Sequence, residues 1–380
     1  MKDILVIGGG KIGSVVAELL ADTPEEGGYR VTVADCSAAL LAALLAAHLA
    51  GNERDPRRSP RLTTRVLDVT DPAQLTAALH GRFAVLSAGP YHLTLQIAQA
   101  ARDVGVHYLD LTEDVASTRA IRALADGAPT AFIPQCGLAP GFVAIVAADL
   151  ARQFDSLDSV RMRVGALPAY PSNALNYNLT WSTEGVINEY CEPCEAIVDG
   201  HKREVPALEE REEFSLDGVL YEAFNTSGGL GTLCETLAGK VRTLNYRTIR
   251  YPGHAAIMKA LLHDLRLKDR RDVLKDILER ALPATMQDVV IVFVTVAGQR
   301  DGRLMQETYV RKVYSHLLAG KMRSAIQITT AASLCAMLDL LATKQLPQHG
   351  FVKQEDVPLA AFLANRFGRV YAADALAHAA

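Results

Sequence analysis

The sequence has few of the features that mark a secreted, membrane or nucleic-acid-binding protein. Only six of its 380 residues are cysteine, which is too few for a disulfide scaffold and favours a reducing, cytoplasmic setting. The net charge is −4 with both signs mixed, so no basic face is expected for nucleic acid or a membrane surface. We find no apolar run near the roughly 20 residues that span a bilayer, and no signal peptide precedes the first predicted strand.

Signatures of metal and nucleophilic catalysis are scarce too. No grouping of histidine, cysteine and carboxylate has the spacing of a metal site, so we expect no metal. Cys191 and Cys194 form a lone C-x-x-C. We interpret it as coincidence, because zinc needs a second pair and a redox motif needs a helix start after a strand. No segment reads as the nucleophile elbow of a hydrolase.

The clearest positive signal is a glycine-rich turn near the N-terminus. Residues 4–7 are all apolar and predict a buried strand, and the next residues match G-x-G-x-x-G ahead of a helical pattern. The first glycine permits a tight turn, the second lets a pyrophosphate approach the backbone, and the third lets the helix pack on the strand. The helix N-terminus then faces the phosphates with free N–H groups. The predicted phosphate-binding residues are Gly8, Gly10, Lys11, Ile12 and Gly13.

The second predicted strand, residues 29–35, ends in an acid that bears on cofactor choice. Asp35 follows Gly13 by 22 residues. A carboxylate at this point accepts hydrogen bonds from ribose hydroxyls and repels a 2′-phosphate. The sequence therefore predicts NAD as the cofactor in preference to NADP. The alternative is a domain of the same fold whose crevice binds nothing.

Strands and helices alternate as far as residue 133. This alternation predicts a Rossmann-type α/β fold, a doubly wound parallel sheet of six strands. Residues 51–60 are polar with two prolines and are predicted to form a loop. Ligands bind outside the carboxyl ends of the strands in such sheets. The remaining cofactor-binding candidates at these ends are Asp68, Val69, Ser87, Ala88 and Gly89.

The pattern changes after residue 141. Alternating apolar runs at 160–165, 242–251, 289–297 and 305–313 predict strands, with hairpin turns at Asp199-Gly200 and around 298–302. Helical patterns accompany them. We therefore predict an α+β substrate and dimerisation domain with a mixed, largely antiparallel sheet covered by helices. Residues 324–341 predict a long apolar helix.

Five colinear stretches resemble the saccharopine dehydrogenase family, and within it the L-lysine 6-dehydrogenase branch. They are residues 106–111, 135–141, 176–178 with 182–185, 221–229, and 246–254. In saccharopine reductases the 138–141 segment usually reads Leu-Asp-Pro-Gly. Here Ala139 replaces that acid, as it does in the lysine 6-dehydrogenases. The likeness spans nearly the whole chain.

The resemblance implies both an organisation and a reaction. It implies that residues 1–136 form the dinucleotide-binding domain, completed by about 325–380, and that 137–324 form the substrate-binding and dimerisation domain of a homodimer. The implied reaction is NAD-dependent oxidative deamination of the L-lysine side chain. A hydride leaves the ε-carbon for the nicotinamide, and the iminium is hydrolysed to a semialdehyde and ammonia. The ε-amine, with a pKa near 10.4 in water, must be uncharged to react.

Ten residues are candidates for the chemistry. Those expected to bind substrate are Cys136, Tyr177, Trp181, Thr226, Ser227 and Arg250. Those expected to be catalytic are Tyr91, Asp110, Glu113 and His254. Arg250 is the best carboxylate clamp, because a guanidinium fits a carboxylate in a fork.

Each candidate also has a plainer interpretation. Arg250 could form a structural salt bridge, and Asp110 could anchor a turn through backbone N–H bonds. His254 could cap a helix instead of acting as a base or carboxylate partner. Thr226 and Ser227 could belong to an ordinary turn, and the two aromatic residues could pack in the core. Two other functions also compete: reductive coupling of an amine to an aldehyde, and non-catalytic sensing of NAD.

Overall fold

The computed structural model describes residues 1–54, 61–318 and 320–372, with the backbone alone over 51–54. The described residues form two compact units. Unit 1 takes those within Met1–Phe142, Leu317–Lys321 and Gln327–Ala380. Unit 2 takes those within Val143–His316 and Met322–Ile326. Each unit is built around its own sheet, and each is described separately below.

The N-terminal part of unit 1 alternates strands with helices. The strands are β1 (Lys2–Ile7), β2 (Tyr29–Asp35), β3 (Leu62–Val66), β4 (Ala84–Ser87), β5 (His107–Asp110) and β6 (Ala131–Ile133). The helices are α1 (Gly13–Ala21), α2 (Ala38–Arg54), α3 (Pro72–Leu79), α4 (Thr94–Val104) and α5 (Val115–Ala125). Every pairing among these strands is parallel, which confirms the predicted doubly wound sheet. The predicted loop at 51–60 is wrong at its start, because α2 continues to Arg54; residues 55–60 lie outside the described part.

Unit 2 contains most of the longer strands. They are β7 (Ser156–Pro168), β8 (Cys194–Val198), β9 (His201–Val205), β10 (Glu212–Leu216), β11 (Val219–Asn225), β12 (Val241–Arg250), β13 (Asp288–Arg300) and β14 (Arg303–Tyr314). Its helices are α6 (Phe142–Ala151), α7 (Thr183–Cys191), α8 (Leu233–Thr236), α9 (His254–Lys259) and α10 (Arg271–Ala281). The main strand order is β10-β11-β12-β7-β13-β14, and β8 joins β12 and β9. Only β12 and β7 pair in parallel, so the predicted mixed, largely antiparallel sheet is confirmed.

The chain then passes through a short hairpin into a C-terminal segment. These elements are β15 (His316–Leu318), β16 (Lys321–Arg323), α11 (Ala325–Ala342), β17 (Gly350–Phe351) and α12 (Leu359–Ala364). Strand β17 pairs in parallel with β6, so the sheet of unit 1 has seven strands in the order β17-β6-β5-β4-β1-β2-β3. The direction of winding reverses between β1 and β4. In doubly wound sheets this reversal opens the crevice that binds ligands.

Helix α11 is long and apolar enough to cross a membrane by length and composition alone, which the sequence-based search for apolar runs did not anticipate. Its 18 residues are 83% buried within the fold. Leu334, Met337, Leu338 and Leu341 have no exposed surface. Burial of this extent is that of a core helix.

The turn chemistry of unit 2 was predicted in part. Asp199 and Gly200 both have positive φ, 50° and 80°, and join β8 to β9 as the Asp-Gly pattern predicts. The second hairpin was placed too widely at 298–302. Arg300 pairs with Arg303, so the turn is the two residues between them, and Gly298 lies inside β13 at an irregularity of the ladder. A Cβ at Gly298 would lie 2.2 Å from the carbonyl oxygen of Ser156.

The two faces of the unit 2 sheet differ. One face packs against α7, α9 and α10 through a cluster that includes Phe224, Tyr190, Met258 and Leu274. The other face carries a smaller cluster around Tyr221, Ile249 and Ile291. Successive residues of a strand point to opposite faces. Phe224 is therefore on the helix-covered face, together with Glu222 and Thr226 on either side of it and with Arg250 on the next strand, where Glu222 pairs with Arg250.

Candidate functional site

The glycine turn of unit 1 has the geometry that a dinucleotide requires. Gly8 has a φ of 101°, which a side chain would strain. A Cβ on Gly13 would lie 1.9 Å from the carbonyl oxygen of Gly8, so only glycine lets α1 pack this closely on the turn. Nothing lies within 4 Å of the position of a Cβ on Gly10. The turn is therefore tight at both ends and open in the middle.

The first turn of α1 is free of side-chain caps. The residue before the helix is Ile12, and no side chain accepts a hydrogen bond from the first amides. Lys11 is exposed in the same turn. Uncapped amides at a helix N-terminus attract a phosphate. These residues fit the phosphates of a nicotinamide dinucleotide.

Asp35 lies at the carboxyl end of β2, beside the same turn. Its Oδ2 accepts a hydrogen bond from the Gly9 N–H at 2.8 Å, and its Oδ1 accepts one from the Ser37 N–H at 2.9 Å. The two bonds fix the carboxylate next to the glycine turn. Since each carboxylate oxygen accepts more than one hydrogen bond, the group retains capacity for ribose hydroxyls.

The remaining cofactor candidates line the ends of β3 and β4. Asp68 is exposed and accepts hydrogen bonds from the N–H and hydroxyl of Thr70, which lower its pKa. Val69 is buried and its carbonyl accepts from Gln96. Ser87 ends β4, at the crevice. The backbone of Ala88 closes over Gly8, whose Cβ would meet its oxygen at 2.7 Å, while the space beside Gly89 is open.

The environment of Asp110 is that of a buried turn anchor. The side chain is 1% exposed, and Oδ1 accepts from the N–H groups of Gln135 at 2.8 Å and Thr112 at 3.1 Å. Oδ2 accepts from the Tyr108 hydroxyl at 2.8 Å. Burial raises the pKa of Asp110 to about 6, although these hydrogen bonds favour the ionised form. The geometry matches the interpretation of Asp110 as a turn anchor.

The other two predicted catalytic residues of unit 1 are more accessible. Tyr91, in a 3₁₀ turn, is 37% exposed, and Glu113 is half-buried.

Cys136 is an interior residue of unit 1, which does not support its predicted place in the substrate site. It has no exposed surface, and its thiol donates to the carbonyl of Ile133 at 3.0 Å. Gln354 of the C-terminal segment donates to its sulfur at 3.4 Å. Burial raises the pKa of the Cys136 thiol well above its usual value. The thiol therefore holds the 135–141 loop to its own unit.

Arg250 is the central residue of the helix-covered face in unit 2. It is 2% exposed, its Nε donates to the Tyr190 hydroxyl at 2.9 Å, and Nη1 donates to the carbonyl of Ile249 at 2.8 Å. Its guanidinium also lies 5.0 Å from the ring centre of Tyr177. Among the residues that the structure describes, none forms a salt bridge with it. This geometry does not support the plainer interpretation of Arg250 as a salt-bridge residue.

The charge of Arg250 is maintained by its surroundings. Burial lowers the pKa of the guanidinium, but Tyr190, Tyr177 and the negative charge of Glu189 together raise it further, so it stays above the ordinary value. A buried charge normally requires a partner. The site in unit 2 is therefore a permanently charged donor group suited to an anion.

His254 neither caps a helix nor carries a charge. It is the first residue of α9, and the residue before it, Gly253, occupies the cap position. Its Nδ1 lies 2.9 Å from the carbonyl of Leu175, and its Nε2 lies 3.1 Å from the Tyr190 hydroxyl. Burial, and then the charge of Arg250, lower its pKa to about 3. A pKa this low makes the imidazole a weak proton acceptor, which disfavours the predicted role as a base.

Thr226 and Ser227 differ in whether their hydroxyl groups have hydrogen-bond partners within the protein. Ser227 is tied to its own unit, because its N–H bonds the carbonyl of Glu189 at 3.0 Å and its hydroxyl bonds that of Pro193 at 3.0 Å. Thr226 is 2% exposed, and its Oγ1 has no hydrogen-bond partner among the described residues. A buried hydroxyl without a partner is unfavourable unless a ligand supplies one. Thr226 is therefore the better donor for a ligand.

The two aromatic candidates pack beside this group. Tyr177 is 3% exposed and edges the ring of His254 at 5.3 Å between centroids. Trp181 packs at the border of the same apolar cluster. Gly185 makes room for it, because a Cβ there would lie 2.4 Å from the indole ring. The contacts of Tyr177 and Trp181 are those expected from core packing. Tyr177 also lies near the guanidinium of Arg250.

Sequence reasoning missed two residues that organise this site. Tyr190 bonds both Arg250 and His254, and it lies on α7, a helix that was not predicted. Glu222 accepts from the N–H groups of Gly253 and Ala255 at 3.1 and 2.7 Å, and so supplies the cap that α9 lacks locally. The segment 182–190 did carry a signal, since Ser182 with an apolar pattern after it is typical of a capped helix start.

The described residues contain no group of three or more histidine, cysteine and acidic side chains that could hold a metal ion. Cys191 and Cys194 are both free thiols, and burial raises the pKa of each. The features of each unit fit a class, because unit 1 has a glycine turn with the geometry that a dinucleotide requires and unit 2 has a buried guanidinium. This combination is typical of a two-domain dehydrogenase.

Comparison with known families identifies the class. The model of the saccharopine dehydrogenase NADP-binding domain matches residues 4–133, and that of the saccharopine dehydrogenase C-terminal domain matches residues 137–367. The second match alone covers more than half of the chain. The chain therefore belongs to the saccharopine dehydrogenase family and is an NAD(P)-dependent oxidoreductase, which confirms the family resemblance.

One solved structure supports the fold. Apo saccharopine dehydrogenase (L-Glu forming) from Saccharomyces cerevisiae superposes with a TM-score of 0.75 at 19% identity, covering 93% of this chain and 94% of that one. The DAP dehydrogenase of C. glutamicum, in complex with DAP, is less similar, with a TM-score of 0.48 at 12% identity, covering 98% and 99%, and no argument rests on it. At these identities the likeness concerns the fold alone.

Proposed function

We propose that this protein is an NAD-dependent L-lysine 6-dehydrogenase. It would oxidise the side-chain amine of L-lysine to 2-aminoadipate 6-semialdehyde, which cyclises to 1-piperideine-6-carboxylate, with release of NADH and ammonia. One observation carries the proposal: Arg250 is a buried guanidinium that forms no salt bridge with a carboxylate of the described residues, although the negative charge of Glu189 acts on it. An amino-acid substrate has an α-carboxylate to supply one.

The residues of unit 2 would bind the α-end of the substrate. Arg250 has five N–H donors, of which two are used within the protein, so its Nη2 end remains for a carboxylate. The free hydroxyl of Thr226 adds a neutral donor on the same face. Tyr177 and Trp181 offer apolar surface for the four-carbon stem. Recognition then rests on the α-end, which leaves the ε-amine unpaired and able to react.

The reaction would remove a hydride from the ε-carbon of a neutral amine, and NAD held at the glycine turn would supply the hydride acceptor. The product iminium adds water and releases ammonium, so no further oxidant is needed. The neutral His254 is a poor base for deprotonating the substrate. Both oxygens of Asp110 accept internal hydrogen bonds. Tyr91 and Glu113 are therefore the remaining candidates for proton transfer, and deprotonation by solvent at alkaline pH is the alternative.

The preference for NAD over NADP is part of the proposal, although the family model is described as NADP-binding. Its support is Asp35, whose carboxylate is held beside the glycine turn by Gly9 and Ser37. A fixed negative charge at the ribose repels a 2′-phosphate. Replacing this acid would relieve the repulsion.

The deciding experiment measures NADH formation at alkaline pH with L-lysine, L-ornithine, saccharopine and a five-carbon diamine that lacks the carboxylate. Turnover of lysine with a much lower kcat/KM for the diamine is the expected result. Turnover of saccharopine alone would indicate reductive coupling in the reverse direction, as in saccharopine reductase or carboxynorspermidine synthase. Binding of NAD with no turnover of any amine would indicate a sensor.

A homodimer in the cytoplasm completes the proposal. The face of the unit 2 sheet opposite the helices leaves apolar side chains exposed on the edge strand β14, with Leu304 at 73% and Val310 at 41%. Apolar groups on an uncovered sheet edge favour association. Light scattering of the purified protein would give the mass in solution. All six thiols are free, as a reducing compartment would keep them.

A further inference from the structure

Tyr190 is joined to Arg250 and His254 in one chain of hydrogen bonds. The Tyr190 hydroxyl lies 2.9 Å from Nε of Arg250 and 3.1 Å from Nε2 of His254. Nδ1 of His254 lies 2.9 Å from the carbonyl of Leu175. All three side chains are at most 2% exposed. These hydrogen bonds therefore connect the guanidinium of Arg250 to the backbone carbonyl of Leu175 without interruption.

The donors and acceptors of these hydrogen bonds can be assigned in only one way. Arginine only donates, so the Tyr190 oxygen accepts from Nε–H and must give its own proton elsewhere. Nε2 of His254 is the acceptor, which leaves its ring proton on Nδ1, where it donates to Leu175. The low pKa of His254 keeps this ring neutral. Each of the three bonds thereby has one donor and one acceptor.

The geometry points to Tyr190 as a positioning residue that fixes the guanidinium plane of Arg250 for a ligand carboxylate, with His254 holding the tyrosine hydroxyl in register. This inference rests on the proposed role of Arg250. The Nε bond to Tyr190 and the Nη1 bond to Ile249 engage two of the three guanidinium nitrogens, so they fix the plane of the group without occupying Nη2. A fork that is already oriented loses less rotamer entropy when it binds a carboxylate.

The ring of Tyr190 has a second role that the test must separate from the first. It packs against Phe224 at 5.8 Å between centroids and forms part of the apolar cluster. Tyr190→Phe keeps this packing and removes only the hydroxyl. The matched control is Tyr251→Phe, which removes a 3.0 Å hydroxyl bond to the carbonyl of Pro168, one residue along the chain from Arg250.

Steady-state kinetics with lysine, with the five-carbon diamine and with NAD test the inference. Tyr190→Phe should raise KM for lysine about tenfold, the scale of one lost hydrogen bond to a charged group. The kcat for lysine, and KM for NAD and the diamine, should change less than about twofold. Tyr251→Phe should leave all four near wild type. His254→Phe, which removes the acceptor but keeps a ring, should shift KM for lysine in the same direction.

The outcomes separate the inference from the function on which it rests. If the wild-type enzyme uses lysine and the diamine equally, Arg250 is not the clamp and the proposed function fails at that point. If the wild type prefers lysine and Tyr190→Phe leaves its KM unchanged, the positioning role is refuted. An equal rise of KM for lysine and diamine also refutes it, because that result reports general damage. Thermal unfolding of each variant verifies that it is folded.

Discussion

Glu222 lies directly opposite Arg250 in the antiparallel pair of β11 and β12, yet the two side chains form no salt bridge. The carboxylate of Glu222 accepts from the N–H groups of Gly253 and Ala255 instead, and Arg211 lies 3.4 Å from it. The nearest cross-strand acid is thereby held at the start of α9. Because Glu222 is engaged there, it does not occupy the guanidinium fork of Arg250.

Arg250→Ala tests the clamp. Removing one partner of a desolvated charge pair costs roughly 2–5 kcal/mol, so kcat/KM for lysine should fall at least about 30-fold. The KM for NAD should stay near wild type. Arg250→Lys should recover only part of the loss, because a point charge cannot replace the fork. If lysine and the diamine lose activity equally, or if the variant is unfolded, the arginine is structural.

Replacement of Asp35 tests cofactor choice. Asp35→Ser removes the negative charge that opposes a 2′-phosphate but keeps a hydroxyl for the Gly9 N–H. The ratio of kcat/KM for NADP to that for NAD should rise by about tenfold or more, which corresponds to about 1.4 kcal/mol. Kinetics with both cofactors provide the measurement. An unchanged ratio would mean that this carboxylate is not at the ribose.

Two glycines of the turn should respond differently to alanine. At Gly10 a Cβ meets open space, so Gly10→Ala should leave the apo protein as stable as wild type while weakening NAD binding. At Gly13 a Cβ meets the Gly8 carbonyl at 1.9 Å, so Gly13→Ala should destabilise the fold by about 1–3 kcal/mol. Thermal unfolding without cofactor, and titration with NAD, separate the two effects. Equal stability losses would contradict the open space at Gly10, and unchanged NAD binding by Gly10→Ala would contradict the proposed phosphate approach there.

The buried carboxyl of Asp110 should make stability depend on pH. Its pKa is raised from the ordinary 3.8 to about 6, so the native state holds a proton that the unfolded state releases between these values. Its stabilising contribution is present below about pH 4 and is lost as the pH rises through 6, on the order of 3 kcal/mol. Asp110→Asn keeps acceptors for Gln135 and Thr112 and cannot ionise. The variant should lose this dependence, and melting temperatures across pH 4–8 would show it.

Activity should increase towards alkaline pH. Only the neutral ε-amine can lose a hydride, and its pKa in water is near 10.4. His254, with a pKa lowered to about 3, should contribute no inflection between pH 6 and 8. The pH profile of kcat/KM for lysine measures both expectations. A flat profile from pH 7 to 10 would contradict the first, and a histidine-like inflection removed by His254→Phe would contradict the second.

Most of the nucleotide-binding unit could be predicted from the sequence. The glycine spacing, the acid 22 residues later and the alternation of strands with helices are local patterns, because each depends on neighbours along one strand or one helix turn. The same reasoning found the Asp199-Gly200 hairpin. It failed at the second hairpin, which it placed at 298–302, because Gly298 lies inside β13, where a Cβ would meet the carbonyl oxygen of Ser156, 142 residues away in the sequence.

The arrangement of the residues around Arg250 could not be predicted in this way, because it depends on contacts between distant parts of the chain. The bonds of Tyr190 to Arg250 and of Glu222 to Gly253 join residues 60 and 31 positions apart, and no periodicity encodes such pairs. Sequence singled out Arg250 and His254 by residue type. It could not show that burial and the charge of Arg250 lower the pKa of His254. Nor could it show that Glu222, opposite Arg250, accepts hydrogen bonds from the first amides of α9. Desolvation and partner choice depend on three-dimensional neighbours, so only the folded chain determines them.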